Sequence, residues 1–536
     1  MDLLNLLLGV ALILVLSMVL FFFFQFRSHA KFFEKHGIPY LGAGLHRIVK
    51  LLMGSSTMVD VEVDIYKDAT SKAKGGLVGI SDLFGTVGVY LTDLELIKNV
   101  YVKDFDHFVN RRPVKTQHSN FYFKKMLFVM ESEQWKGIRT KLSPTFTTGK
   151  IRRMFSIFES SSDRMANYVK EQVGATGGDF DLNLAFPKYA MDVIASCAFG
   201  VDSKCFDVSP DKMSIFEDMG KRFQFNLKPF VFLKFIFMMA LPKLADLFGM
   251  EVMDTVPQSY FAGVIKHVMK RRRQTGERAD DFLQLMMDAQ EGLLKIDDDT
   301  NEVLNGTTEK NVLEDISAVD KQKITFDDDD IIANCLLFML GGFDTTQSLL
   351  LFAVYQLALE KQVQEKVYKD VKTSVDANGG AITYDGLLNM TYLDMFLNET
   401  LRFFPPAPRT ERICTKDYPV PGTNIMIEKG TLVAIPIYPI QRDPNYFENP
   451  EKFEPERFTV DQKSSRNPYA FMPFGHGPRN CIGMRFALTE VKAVIAKLVL
   501  TFQFGTCQKT TIPMDFDKNT NLKPKYGMWL RVTPRS

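Results

Sequence analysis

Tryptophan occurs only twice in 536 residues and cysteine only six times, with no C-x-x-C pair. Cys197, Cys205, Cys335, Cys414, Cys481 and Cys507 are too sparse and uneven for a disulfide framework or a structural zinc site, which indicates a reducing, cytosol-facing location. A prevailing charge is missing as well. The net charge is +1 with 24% charged residues, so no general polyanion-binding surface is indicated and no nucleic acid partner is expected. Hydrophobic residues make up 46%, enough for a large buried core and too many for general disorder.

Two local absences divide the chain. No charge interrupts Leu3 to Phe26, "LLNLLLGVALILVLSMVLFFFFQF", and about 20 apolar residues suffice to cross a bilayer. The apolar part of a cleaved signal peptide is shorter, usually about 7 to 15 residues. Arg27, Lys31 and Lys35 follow the segment and only Asp2 precedes it, so everything after Phe26 is expected in the cytosol. Residues 1–26 therefore read as a transmembrane anchor, residues 27–42 as a linker carrying the Gly and Pro of "KHGIPYLG", and residues 43–536 as the globular body. Proline is missing between Pro257 and Pro405, which predicts a mostly helical interval.

From Pro405 to Pro455 prolines recur, and "YPVPGTNIMIEKGTLVAIPIYPI" (418–440) alternates β-branched and turn residues as short strands do. The polar stretch 296–323 reads as a solvated loop with some helix. "PFVFLKFIFMMALP" (229–242), too short to span a bilayer, is either a buried helix or a surface element dipping into the membrane interface.

"ITFDDDDIIANCLLFMLGGFDTTQSLLLFAVYQLALE" (324–360) reads as a helix, with Thr325 as cap and four aspartates at the positive end of its dipole. It is apolar on every side thereafter, and with Asp344 and Gln347 inside it belongs in a protein core. Gly341 and Gly342 cost about 1 kcal/mol each in a helix interior, and Asp344 pays for desolvation unless it is paired, neutralised or hydrated. The glycines either admit another helix or make room for a ligand. Thr345 can bond backward to a carbonyl, and a carboxyl beside a hydroxyl suits proton delivery to a buried ligand.

Glu399 and Arg402, at i and i+3 in "FLNETLRFFPPAP", form a commonplace helix pair, yet Arg457 in "FENPEKFEPERF" supplies a second arginine for a charge-paired structural cluster. Cys197, Cys335 and Cys507 read as small buried hydrophobes. Cys481 differs: in "PFGHGPRNCIG" (473–483), loop N–H groups and a helix starting near Ile482 favour a thiolate, the form that ligates iron or attacks electrophiles. Arg479 adds a nearby cation, while His476 reads as a surface residue of the same loop.

The pattern F-x-x-G-x-R-x-C-x-G is met by Phe474, Gly477, Arg479, Cys481 and Gly483, and its order after "GGFDTT", "ETLR" and "PERF" resembles the cytochrome P450s, haem-thiolate monooxygenases, over nearly the whole chain. The resemblance implies a mainly α fold with small β-sheets and one N-terminal transmembrane helix. It implies haem b held by Cys481 as axial metal ligand, with Phe474, Gly477 and Gly483 shaping the cofactor loop. Asp344 and Thr345 would deliver protons. Trp135 and Arg139, one helical turn apart in "ESEQWKGIRTKLSPTF", together with Arg412, Arg479 and Arg111, would hold the haem propionates, for which indole N–H and guanidinium are suitable donors.

Phe343 and the loop from Pro113 to Phe123 are expected to touch a small lipophilic substrate. NADPH would act indirectly, through NADPH-cytochrome P450 reductase, with cytochrome b5 as an optional second donor and the lipid bilayer as a further partner. The expected location is the endoplasmic reticulum membrane with the body on its cytosolic face, and the chain is most similar to animal microsomal members, insect detoxification enzymes among them. It departs from the family at Gly341, where alanine is usual, and at Gln441, where many carry histidine. A haem-thiolate isomerase working without a reductase and a membrane-tethered haem or lipid carrier are the rival readings; the Asp344–Thr345 pair speaks against both.

Overall fold

The computed structural model describes residues 24–42, 44–81, 86–113, 121–208, 212–224, 241–293, 326–517 and 522–535, with 231, 234, 235, 237 and 238 singly between them. Most of the anchor, all of the polar stretch, Thr325, most of the 229–242 stretch and most of the Pro113–Phe123 loop lie outside the described residues.

Between Pro257 and Pro405 every regular element among the described residues is helical: Thr255–Thr275, Phe282–Gln290, Asp328–Leu359, Lys361–Ala377, Tyr384–Asn389 and Thr391–Phe403. Strands occupy the margins. One sheet has the order Leu77–Ser81, Val87–Leu91, Leu432–Pro436, Arg409–Ile413; its parallel central pairing joins distant parts of the chain and sets Arg412 opposite Val433. A second joins Gly178–Asp181, Trp529–Pro534 and Phe502–Gly505. The expected strands in 418–440 are present as Tyr418–Pro419, Met426–Ile427 and Leu432–Pro436, but Ile437–Ile440 closes into a helical turn.

Residues 24–35 form a helix. Its Phe33 is buried against Gly79, where a Cβ would meet the phenyl ring at 2.6 Å, and His29 Nδ1 lies 2.7 Å from Ser81 Oγ. The segment expected to link anchor and body thus packs on the first sheet.

Asp328–Leu359 is the core helix. Its cap is Asp327, whose carboxylate accepts from the Asp330 N–H while Asp330 returns the bond to the Asp327 N–H, so the cap falls within the aspartate run that also fills the first turn. The helix is long and apolar enough to cross a membrane, yet it is largely buried and packs on Phe186–Ile194 and on Met484–Thr501. All-round apolarity here marks a core position.

Met484–Thr501 carries a feature that motif reading misses. Glu490 is buried, Thr346 Oγ1 donates to its Oε2 at 3.4 Å, and Oε1 has no hydrogen-bond partner. Burial pushes its pKa from 4.5 up to about 8. The folded state then keeps a proton that the unfolded chain releases, so stability is full below about pH 4.5 and declines as pH rises to about 8. Glu490→Gln should therefore melt like the parent near pH 4.5 and be more stable at pH 8, by up to about 4 kcal/mol. Parallel melting temperatures across that range would check it; equal slopes against pH would refute it.

Candidate active site

The loop before Met484–Thr501 is built from its glycines. Gly475 and Gly477 have φ of +69° and +72°, and a Cβ on Gly477 would stand 1.9 Å from the Tyr101 carbonyl oxygen. Only glycine fits there. The Cys481 N–H donates to the Phe474 carbonyl at 2.9 Å and the Asn480 N–H to that of Gly477 at 3.1 Å, closing the loop beneath the cysteine. Phe474 is half-buried against the main hydrophobic core. At Gly483 a Cβ would only reach ordinary contact with Phe146, at 3.8 Å, so local packing does not require glycine there. His476 Nε2 lies 3.2 Å from the carbonyls of Pro468 and Phe471 and serves the loop.

Cys481 is exposed, whereas Cys197, Cys205, Cys335 and Cys414 are buried and Cys507 is only half-buried, less so than a small core hydrophobe. Its exposure does not mean bulk water. Desolvation by surrounding protein is the leading cause that raises its thiol pKa, outweighing the Gly483 backbone hydrogen bond and the pull of Arg139 and Arg111. The loop N–H and the arginines favour the thiolate while desolvation opposes it, so a further positive charge at the sulfur would stabilise that form.

The core helix opens on the same kind of internal space. In its buried middle Gly341 and Thr345 are exposed, and a Cβ on Gly341 would meet nothing within 4 Å. Gly342 instead faces Ile194, with 3.2 Å to its Cδ1, so one glycine makes room and the other admits a helix. Phe338, on the face of Gly341 and Thr345, has its ring centroid 5.2 Å from that of Phe146, which in turn borders Gly483. These contacts join the cysteine loop and this helix face along one cleft, with partly exposed Phe338 at it and Phe146 and Phe282 packed behind in the core. Thr345 Oγ1 donates to the Gly341 carbonyl at 2.5 Å, the backward bond expected of it. Asp344 lies on the adjacent face and is paired: Lys523 Nζ stands 2.8 Å from its Oδ1 and 3.1 Å from Gln224 Oε1. Phe343 is buried in the core on the side away from Gly341, which does not fit a substrate contact.

Four arginines gather beside the cysteine loop. Arg111 donates to the Arg479 carbonyl at 3.3 Å and covers the Phe128 ring; Arg139 donates to Asn480 O at 3.1 Å and Oδ1 at 2.9 Å. Arg412 is buried over the Tyr101 ring, and Arg479 over that of buried Trp135. Arg479 also donates to the carbonyls of Val109, Phe128 and Met130. Burial, then mutual repulsion, lowers Arg111 to about 9 and Arg479 to about 8, while burial lowers Arg412. The Nε atoms of Arg111, Arg412 and Arg479 are buried without a hydrogen-bond partner. Buried like charges with idle donors fit an anion.

Glu399 and Arg402 are both fully buried and form a bidentate pair at 2.7 and 2.8 Å, with Arg457 Nε 3.4 Å from Glu399. The expected cluster is present. Gln441 extends it: its Nε2 donates to the carbonyls of Leu401 and Arg402, and its Oε1 accepts from the Met472 N–H at 2.9 Å.

A family model, Cytochrome P450, matches residues 66–531. The chain belongs to the cytochrome P450 family. Among P450 relatives, Cytochrome P450 9e2 of Blattella germanica is 32% identical over 525 residues, covering 94% of each protein. Probable cytochrome P450 9f2 of Drosophila melanogaster is 33% identical, covering 94% of this chain and 95% of its own. Cytochrome P450 3A7 of Homo sapiens is 35% identical, covering 96% and 94%. Membership makes this P450 a monooxygenase oxidoreductase that uses haem. The residues present fit that group: one thiol and a glycine-opened helix face border the cleft, and buried arginines with unpartnered Nε atoms stand where carboxylates would satisfy them.

Proposed function

We propose that this P450 inserts one atom of molecular oxygen into a small lipophilic substrate, with electrons from NADPH passed on by a membrane-bound reductase. The observation that carries the reading is the open Cys481 sulfur beside the arginine cluster, across a cleft from Gly341 and Thr345. Cys481 would hold the haem iron through its sulfur, and Arg111, Arg139, Arg412 and Arg479, with Trp135 beneath Arg479, would hold the haem carboxylates. The group would be haem b, as the family resemblance implies; the chain has no C-x-x-C-H motif for c-type attachment. When bound, haem supplies the iron that activates oxygen with electron donation from the thiolate.

The chain's own residues do the rest. Gly341 leaves room over the cleft, and Phe338, backed by the buried rings of Phe146 and Phe282, offers it an apolar side. Thr345 can present its hydroxyl oxygen to a proton on the cleft side while its hydrogen is held by Gly341 O. Asp344, paired with Lys523, would take up a proton from solvent and relay it to Thr345 by side-chain rotation or through a water.

Residues 1–26 serve as the anchor in the endoplasmic reticulum membrane, 27–42 as the connection and 43–536 as the cytosolic catalytic domain. Support for a nearby bilayer comes from Leu241, Leu244, Leu247 and Phe248, which expose large apolar side chains along and beside the short helix Pro242–Leu247.

The test reconstitutes the full chain with NADPH-cytochrome P450 reductase in lipid vesicles and screens lipophilic substrates under isotopically heavy oxygen gas. NADPH consumption above the reductase alone, with one heavy oxygen in the product, is expected. Haem-loaded protein that rearranges an oxygenated lipid without NADPH would replace this reading by an isomerase.

A further inference from the structure

Asn334 is wholly buried in the core helix, about two turns before Gly341, and no motif includes it. Its amide is fully used. Oδ1 accepts from the Leu127 N–H at 3.1 Å, and Nδ2 donates to the Asp330 carbonyl at 2.8 Å and to the Lys125 carbonyl at 3.3 Å. The same segment is gripped from the helix tip, where Lys125 Nζ lies 2.8 Å from both Asp327 oxygens and 3.3 Å from Asp330. Residues 125 and 127 are thus fixed to the first turns of the core helix.

The other end of this segment meets the arginine cluster. The carbonyls of Phe128 and Met130 accept from Arg479 Nη2 at 3.3 and 2.5 Å, and the Phe128 ring lies 4.5 Å beneath the Arg111 guanidinium. Just beyond, the Ser132 N–H donates to Asn110 Oδ1 at 2.7 Å. Arg479 Nη1 is held separately by the Val109 carbonyl, but both acceptors of Nη2 lie on a strap pinned at residues 125 and 127, so the direction of that arm of the guanidinium depends on how firmly the core helix holds the strap. A buried amide with three bonds to backbone groups fixes direction better than an exposed ion pair.

We propose that Asn334 is a positioning residue for haem: through residues 125–130 it fixes the carbonyls that aim Arg479, although it lies on another element and touches neither Arg479 nor the cysteine loop. The inference rests on the reading of Arg479 as a holder of haem carboxylates. A group that orients a cofactor's holder typically contributes about tenfold or more to affinity.

The experiment titrates haem into full-length apoprotein of the parent, Asn334→Leu, Arg479→Met and the double variant, and follows amide exchange over residues 125–130 without haem. Asn334→Leu should lose protection in that peptide and bind haem about tenfold more weakly, and the double variant should bind no worse than Arg479→Met alone. Losses that multiply in the double variant, or full affinity in Asn334→Leu, would overturn the inference while leaving the Arg479 assignment standing. Full affinity in Arg479→Met would overturn both. If Asn334→Leu does not fold, Lys125→Met releases only the surface grip and should shift exchange and affinity in the same direction by less; unchanged values there would also overturn it.

Discussion

Substituting histidine for Cys481 should abolish the strongly red-shifted carbon monoxide band of the reduced protein and bring NADPH-dependent oxygenation down to the level of reductase alone. The reason lies in the division of labour within the site. Cys481 is the one cysteine whose sulfur opens on the cleft, and its N–H is tied to Phe474 O, so the side chain at 481 has little freedom to point elsewhere. Imidazole in that place is neutral and donates less electron density than a thiolate, which removes the push that favours O–O cleavage. The arginines that would hold the haem carboxylates come from other parts of the chain and are untouched, so Cys481→His should retain some haem with an altered spectrum. Cys481→Ala, which offers no ligand, should retain less. Full oxygenation by Cys481→His would refute the ligand assignment; loss of all haem from a folded variant would show that the arginine cluster does not hold it alone.

Local motifs in the sequence located the chemistry because each is confined to one turn or loop. The backward bond of Thr345, the glycine that opens the core helix and the glycine-built cysteine loop follow from residues within a few positions of one another. What spans elements was less legible. Arg111, Arg139, Arg412 and Arg479 were assembled by family resemblance, and nothing in their spacing shows that burial depresses three of them and mutual repulsion adds to it at Arg111 and Arg479. Phe343 was expected to touch substrate from its place in the GGFDTT stretch, but helix phase turns it from the open face. The desolvation that opposes the Cys481 thiolate depends on what surrounds the folded loop, which its residues alone do not show. Lys523, which occupies Asp344, lies 179 residues away in a segment without any motif. Glu490 and Asn334 look like ordinary helix residues until their burial is seen.

Removing charge from Glu399 should be the most damaging single change outside the cleft. Glu399→Gln keeps the shape but leaves Arg402 buried, with the bidentate partner gone and Arg457 beside it as a second cation. Breaking a buried pair in this way costs about 3 to 5 kcal/mol, a large part of an ordinary domain's stability. The consequence should reach the haem site by a traceable path. Arg402 Nη1 donates to the Gln441 carbonyl at 2.9 Å, Gln441 Oε1 receives the Met472 N–H, and the Met472 carbonyl accepts from the Gly475 N–H at 3.0 Å at the start of the cysteine loop. Glu399→Gln should therefore melt well below the parent and also lose haem before it unfolds, seen as loss of the haem band at temperatures where far-ultraviolet circular dichroism is unchanged. A double variant, Glu399→Leu with Arg402→Met, discards both charges and should recover much of the stability, because the largest cost is the stranded cation. It should recover less of the haem retention, since methionine cannot hold Gln441. If the double variant is no more stable than Glu399→Gln, the pair's worth lies in the backbone bonds of Arg402 and Glu399, including the 2.8 Å bond from the Glu454 N–H, and not in charge compensation.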